Sequence, residues 1–246
     1  MKITLALITL TVSTVAQVAH AQMREPDIRV IGAGASSGGA QDSIGSGVGK
    51  RAKPAILNAD PAMAKDDLVR TFMVDYARCI YDLDRRSVDK MLDQVPGTEE
   101  YTKAAQRAAV NQCLATGDMR FQQSSLQGAV FIHKYRAAYG RLAPMLRDAP
   151  FDYASLAASA PADWKGRYLA YRRFGECVVR RDPVAARAMV MGPTGSASEA
   201  GAIQTLGPSF SACIDAGVNA NFTKDRLSGV VAEALFRLSV DNGVVR

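Results

Sequence analysis

Residues 76–98, YARCIYDLDRRSVDKMLDQVPGT, return about a hundred positions later as residues 174–196, FGECVVRRDPVAARAMVMGPTGS. Overlaid, Cys79 meets Cys177, Ile80 meets Val178, Asp84 meets Asp182, Met91 meets Met189 and Gly97 meets Gly195. A shift of two residues brings CLATG (113–117) onto CIDAG (213–217). One further residue pairs Phe121 with Phe222, Leu126 with Leu227, Gly128 with Gly229, Val130 with Val231 and Arg136 with Arg237. Matched order at a nearly constant offset is the mark of an internal repeat.

Each copy reads as helices. Leu68, Phe72, Tyr76, Cys79 and Leu83 recur at spacings of four and three, which places them on one helical face. Asp60-Pro61 supplies a cap and a first-turn proline ahead of that helix. Val88, Met91, Leu92 and Val95 carry a second helix, which ends at Pro96-Gly97. In the other copy Asp182-Pro183 marks the corresponding start. A third helix is expected from about Glu99 to Leu114. Its counterpart carries Ile203, Leu206, Phe210, Cys213 and Ile214, and is kinked or divided at Pro208. Gly117 and Gly217 stand where a helix ends. The fourth helix carries Leu126, Ala129, Val130, His133 and Ala137, matched by Leu227, Val230, Val231, Ala234 and Leu238. Sustained period-two alternation is missing, and AGVNAN (216–221) reads as a turn.

The expected fold class is therefore all-α: two tandem copies of a roughly four-helix unit. Each is small for an independent core, so the copies should pack together. Copies that share a fold should each close on themselves, which pairs Cys79 with Cys113 and Cys177 with Cys213. A bond closing about 35 positions stabilises by roughly 3–4 kcal/mol on a chain-entropy argument.

The chain opens MKITLALITLTVSTVAQVAHAQ: one positive charge, an apolar run and a small-x-small site before Gln22. These are the parts of a secretory signal over 1–21. The apolar run is short for a membrane span, and no later stretch is apolar enough for one. Four cysteines in an exported chain favour disulfides. The expectation is a soluble periplasmic or secreted protein.

Residues 22–61 hold IGAGASSGG after a strand-like DIRV, and then GSGVGKR. Neither is a phosphate loop. Gly38 arrives one residue late for G-x-G-x-x-G, and the P-loop positions fall on Ile44 and Arg51. A segment so rich in Gly, Ser and Ala cannot bury enough apolar surface to offset its ordering entropy, and it reads as a disordered tether. The first repeat is expected over 62–140 and the second over 164–246. Between them, 141–163 forms a connector holding Pro144, Pro150 and Pro161, with a short helix near 153–158.

Chemistry is sparse. His133 is the only histidine outside the signal, so multi-histidine metal sites are excluded. It occupies the apolar face of its helix where Ala234 stands in the second copy. It reads first as a core histidine with a single satisfied hydrogen bond, and second as a site formed in one copy only. Glu99-Glu100 and Asp66-Asp67 read as first-turn acids favoured by the helix dipole. The stretch KGRYLAYRRFGECVVRRDPVAAR (165–187) sets Arg173 and Arg180 seven apart, either as an anion- or partner-binding surface or as a solvated face. Trp164, Tyr168 and Tyr171 fall at core spacing.

These features predict a non-catalytic binding or scaffold protein of the cell envelope or secretome, with no cofactor. Its partner would be an envelope protein or an anionic surface. Export and the lack of a recognisable motif argue against nucleic acid. The rival expectation is an exported hydrolase or small-ligand carrier that uses the crevice between the copies near His133, Tyr135 and Arg136.

Overall fold

Helices account for most of the described residues in the computed structural model, which describes residues 27–31, 63–114, 118–214 and 222–240. The expected signal, most of the expected tether, the Asp60-Pro61 cap, Gly117, Gly217 and the 216–221 turn lie outside the described residues.

The first described element departs from the all-helical expectation. Strand β1 (Asp27–Ile31), inside the stretch read as a tether, pairs antiparallel with β2 (Asp118–Gln122). Ile28 stands opposite Phe121, and both are buried. The strand-like DIRV lacked a visible partner, because that partner lies some ninety positions downstream and joins it only in the folded chain.

Helix α1 (Lys65–Leu83) buries a wider face than the spacing predicts. Met73, Tyr76, Ala77, Cys79 and Ile80 are buried, whereas Leu68, Phe72 and Leu83 are only half-buried. Asp84 ends it. Its backbone N–H donates to the Ile80 carbonyl, and its carboxylate accepts the Ser87 N–H to cap α2 (Arg85–Leu92). One aspartate between them thus serves two helices. After α2 the chain turns through Gly97 at φ 94°, a left-handed value that only glycine adopts readily. Thr98 then caps α3 (Glu99–Ala108) by accepting the Tyr101 N–H, with Glu99 and Glu100 in the first turn.

The expected third helix does not run unbroken to Leu114. It stops at Ala108, and Ala109 and Val110 are extended before a 3-10 turn at Asn111–Cys113. This extension carries Cys113 to Cys79, with Cα atoms 5.7 Å apart in the disulfide.

Helix α4 (Gln123–Tyr139) follows β2. In the connector, β3 (Met145–Leu146) and α5 (Tyr153–Leu156) precede α6 (Ala162–Arg181), which starts two residues before the expected boundary at 164, just after Pro161. Asp182 then repeats the double role of Asp84, capping α7 (Pro183–Met191) through the Ala185 N–H. Gly195 turns at φ 77°, and Ser196 caps α8 (Ala197–Thr205). The chain divides again before α9 (Gly207–Cys213), whose first turn holds Pro208. Cys213 bonds Cys177 with Cα atoms 5.8 Å apart. Helix α10 (Lys224–Leu238) leads into β4 (Ser239–Val240), which pairs with β3.

The main core draws on both halves of the chain. Ile80, Met91, Leu126 and Phe131 share one cluster with Val178, Met189, Val231 and Leu235. Its axis is the packing of α4 on α10, where Gly128 meets Gly229. A Cβ on Gly128 would stand 2.6 Å from the Gly229 Cα, so the backbones approach this closely only because both residues lack one. A smaller cluster of Val95, Ala157, Ala160 and Tyr168 packs with Trp164, whose indole N–H donates to the Pro96 carbonyl.

Candidate functional site

A set of buried charges lies where α1 meets α8 and α10. Asp67 and Arg70 come from the buried face of α1, Glu199 from the first turns of α8 and Ser228 from the buried face of α10, with the exposed Lys224 of α10 at the rim. Arg70 grips Glu199 with both terminal nitrogens, at 2.5 and 3.1 Å, and reaches Asp67 at 2.8 Å and Ser228 Oγ at 3.0 Å. Two-pronged arginine–carboxylate contact is the strong, orientation-specific form of this pair. Glu199 also accepts the Gly195 N–H at 2.7 Å, and Lys224 reaches Asp67 at 3.0 Å.

Burial works against the Arg70 charge, but the hydrogen bonds and charges of Glu199 and Asp67 outweigh it and raise its pKa. For Asp67, burial pushes upward while Lys224 and Arg70 hold its carboxyl below the usual range. Beside this network is a shallow cleft between α1, α4 and α10, lined in part by Arg70, Met73, Ala129 and Ser228, with room for about one water. On its wall Ser125 donates to Asp225 at 2.5 Å. The charges largely satisfy one another, so the arrangement is chemically a clamp between helices. Among the described residues no group of three or more His, Cys, Asp or Glu side chains could hold a metal ion.

The five predicted surface residues do not come together. His133 is nearly buried against α1, with the Tyr81 ring edge-on at 5.4 Å and Asp82 Oδ1 at 3.7 Å from Nε2. Tyr135 is 1% exposed, and the Arg187 guanidinium stands 5.9 Å over its ring. Arg136 donates from Nε to the Val190 carbonyl at 2.6 Å and from Nη2 to the Gly192 carbonyl at 2.5 Å, so it tethers the end of α7. Burial lowers its pKa. Arg180 bonds Glu176 and holds the connector through the carbonyls of Arg147 and Ala149. Arg173 is exposed. Ala137, expected on the apolar face of α4, is exposed as well.

His133 yields a pH prediction. Burial is the largest influence and lowers its pKa; Arg78 and Arg136 act in the same direction, and Asp82 opposes them. The unfolded chain, with a histidine pKa of about 6.5, therefore takes up the proton first as pH falls. Stability should decline from about pH 6.5 down to the folded-state pKa and level off below it. Urea unfolding of the protein and of His133→Gln across this range should show the difference between them changing below pH 6.5. A constant difference would refute the assignment.

The network of Asp67, Arg70 and Glu199 escaped the sequence reading, as did Arg172, which is buried rather than part of a solvated face. A signal was present. At the offset that pairs Cys79 with Cys177, Arg70 stands opposite Tyr168 and Glu199 opposite Tyr101. Both tyrosines are buried, as Arg70 and Glu199 are, and a charge in such a place needs a partner. Comparison with family models, with characterised proteins and with solved structures finds no match for the chain.

Proposed function

We propose that the chain is a tandem duplication whose two copies interlock, and that it acts as an exported, non-catalytic binding scaffold. The observation that carries the duplication is an exchange between the halves. Arg136 of α4 bonds the Val190 carbonyl at the end of α7, and Arg237 of α10 bonds the Leu92 carbonyl at the end of α2. Arg136 aligns with Arg237, and Leu92 with Val190, so each copy gives the other the same contact. The shared devices at Asp84 and Asp182, the turns at Gly97 and Gly195, and the Gly128–Gly229 crossing support the same reading.

A scaffold role follows from how the polar groups are used. The seam charges bond one another, and two disulfides brace the helices, which leaves a stiff body whose outer surface meets the partner. Disulfides suit an oxidising compartment, in line with the secretory pattern of 1–21. The exposed Arg173 and the net charge of +6 favour an anionic surface. A hydrolase or ligand carrier built around His133 has less support, because His133 faces α1 whereas Tyr135 and Arg136 face α7.

Cosedimentation of the processed protein with phosphatidylglycerol vesicles, set against phosphatidylcholine vesicles, tests the proposal. Binding to the anionic vesicles alone, weakened by salt and by Arg173→Glu, is the expected result. No binding to either, together with no cross-linked partner in envelope extract, would sink it.

A further inference from the structure

The two disulfides hold matching places in unlike surroundings. Cys79 and Cys113 are buried, whereas Cys177 and Cys213 are both half-buried. The charges beside them are reversed as well. Residues three and four apart on a helix are neighbours. On α6, Cys177 therefore has Arg173 on one side and Arg180 and Arg181 on the other. At the offset that aligns the cysteines, Asp75 and Asp82 of α1 stand opposite Arg173 and Arg180, and Leu83 opposite Arg181. Glu176 engages Arg180 at 2.9 Å, while Arg173 and Arg181 are exposed.

The second bond also holds a weakly embedded element. Helix α9 ends at Cys213 and buries none of its residues. It leans on α6 through Phe210, whose ring centre stands 6.1 Å from that of Phe174. Its Ser211 hydroxyl bonds within the helix, to the Gly207 carbonyl at 3.1 Å.

We infer that Cys177–Cys213 is a redox-active site, opened by a dithiol of the exported compartment, and that this bond latches α9 to α6. A thiolate of the dithiol attacks Cys213 Sγ, the bond between the two cystine sulfurs breaks, and Cys177 leaves as a thiolate beside Arg173 and Arg181. The second thiol of the dithiol then resolves the mixed disulfide and releases Cys213. Two electrons and two protons pass to the cystine, and the dithiol ends as a disulfide. Access to the sulfur and positive charge beside the departing thiolate both speed such exchange. The Cys79–Cys113 bond has neither, being buried and flanked on its helix by two aspartates. With the second bond open, α9 keeps only its ring contact and the chain itself. It parts from α6 while the core shared by the two copies stays closed.

Incubation of the folded, processed protein with dithiothreitol, quenched by alkylation at intervals and read by peptide mapping, tests this. Residues 177 and 213 should be alkylated about tenfold faster than 79 and 113, at a rate that rises with dithiothreitol concentration. The double change Arg173→Gln with Arg181→Gln should slow this opening roughly threefold and leave the 79–113 bond unaffected. Hydrogen exchange of the singly opened protein should quicken over 207–213 and stay slow over α4 and α10. Equal rates for the two bonds, a rate independent of dithiothreitol, a double variant that opens as fast as the parent, or unchanged exchange over 207–213 would each overturn the assignment.

Discussion

Replacing Glu199 with alanine is expected to cost about 3–5 kcal/mol, the range for stripping one partner from a buried ion pair. The loss has two sources. Arg70, 7% exposed, would keep its charge with only Asp67 and Ser228 for company, and the Gly195 N–H would lose its acceptor. Because Asp67 still faces Arg70, the lower end of the range is expected. Glu199→Gln should cost less, since an amide can still accept from Gly195. The double change Arg70→Met with Glu199→Leu should recover much of the loss, because it removes the stranded charge together with its partner. Urea denaturation followed by far-ultraviolet circular dichroism reads all three. A cost below about 1 kcal/mol for Glu199→Ala would mean that the pair is hydrated and the seam looser than described.

Removing the first disulfide, by Cys79→Ala with Cys113→Ala, is expected to cost roughly 3–4 kcal/mol. The bond closes a separation of 34 positions, so most of its effect comes from restricting the unfolded chain. Both cysteines are also buried, at 3% and 0% exposure, and two alanines would leave part of that space unfilled. The second bond spans 36 positions, and its chain-entropy contribution should be nearly the same. It differs in that Cys213 is only half-buried, so a reductant should open Cys177–Cys213 first. Non-reducing peptide mapping should recover 79 with 113 and 177 with 213. Unchanged unfolding midpoints after full reduction would refute a stabilising role for either bond.

The parts of this protein that sequence alone determined are those whose causes are local. Spacings of three and four made the helices α4 and α10 legible, although not their faces, since both bury every residue over 125–132 and 227–235. Asp182-Pro183 announces a helix start, because the carboxylate and the missing N–H act within one turn. The cysteine pairing was legible through comparison of one stretch of the chain with another. Tertiary structure decided the rest. Strand β1 needed β2, the third helix broke so that Cys113 could reach Cys79, and Arg70 found Glu199 across 129 positions. A buried charge has the same local signature as a solvated one, since both sit on a helix at any register. Only the groups brought opposite it by folding determine whether it is paired, and that information is spread over distant parts of the chain.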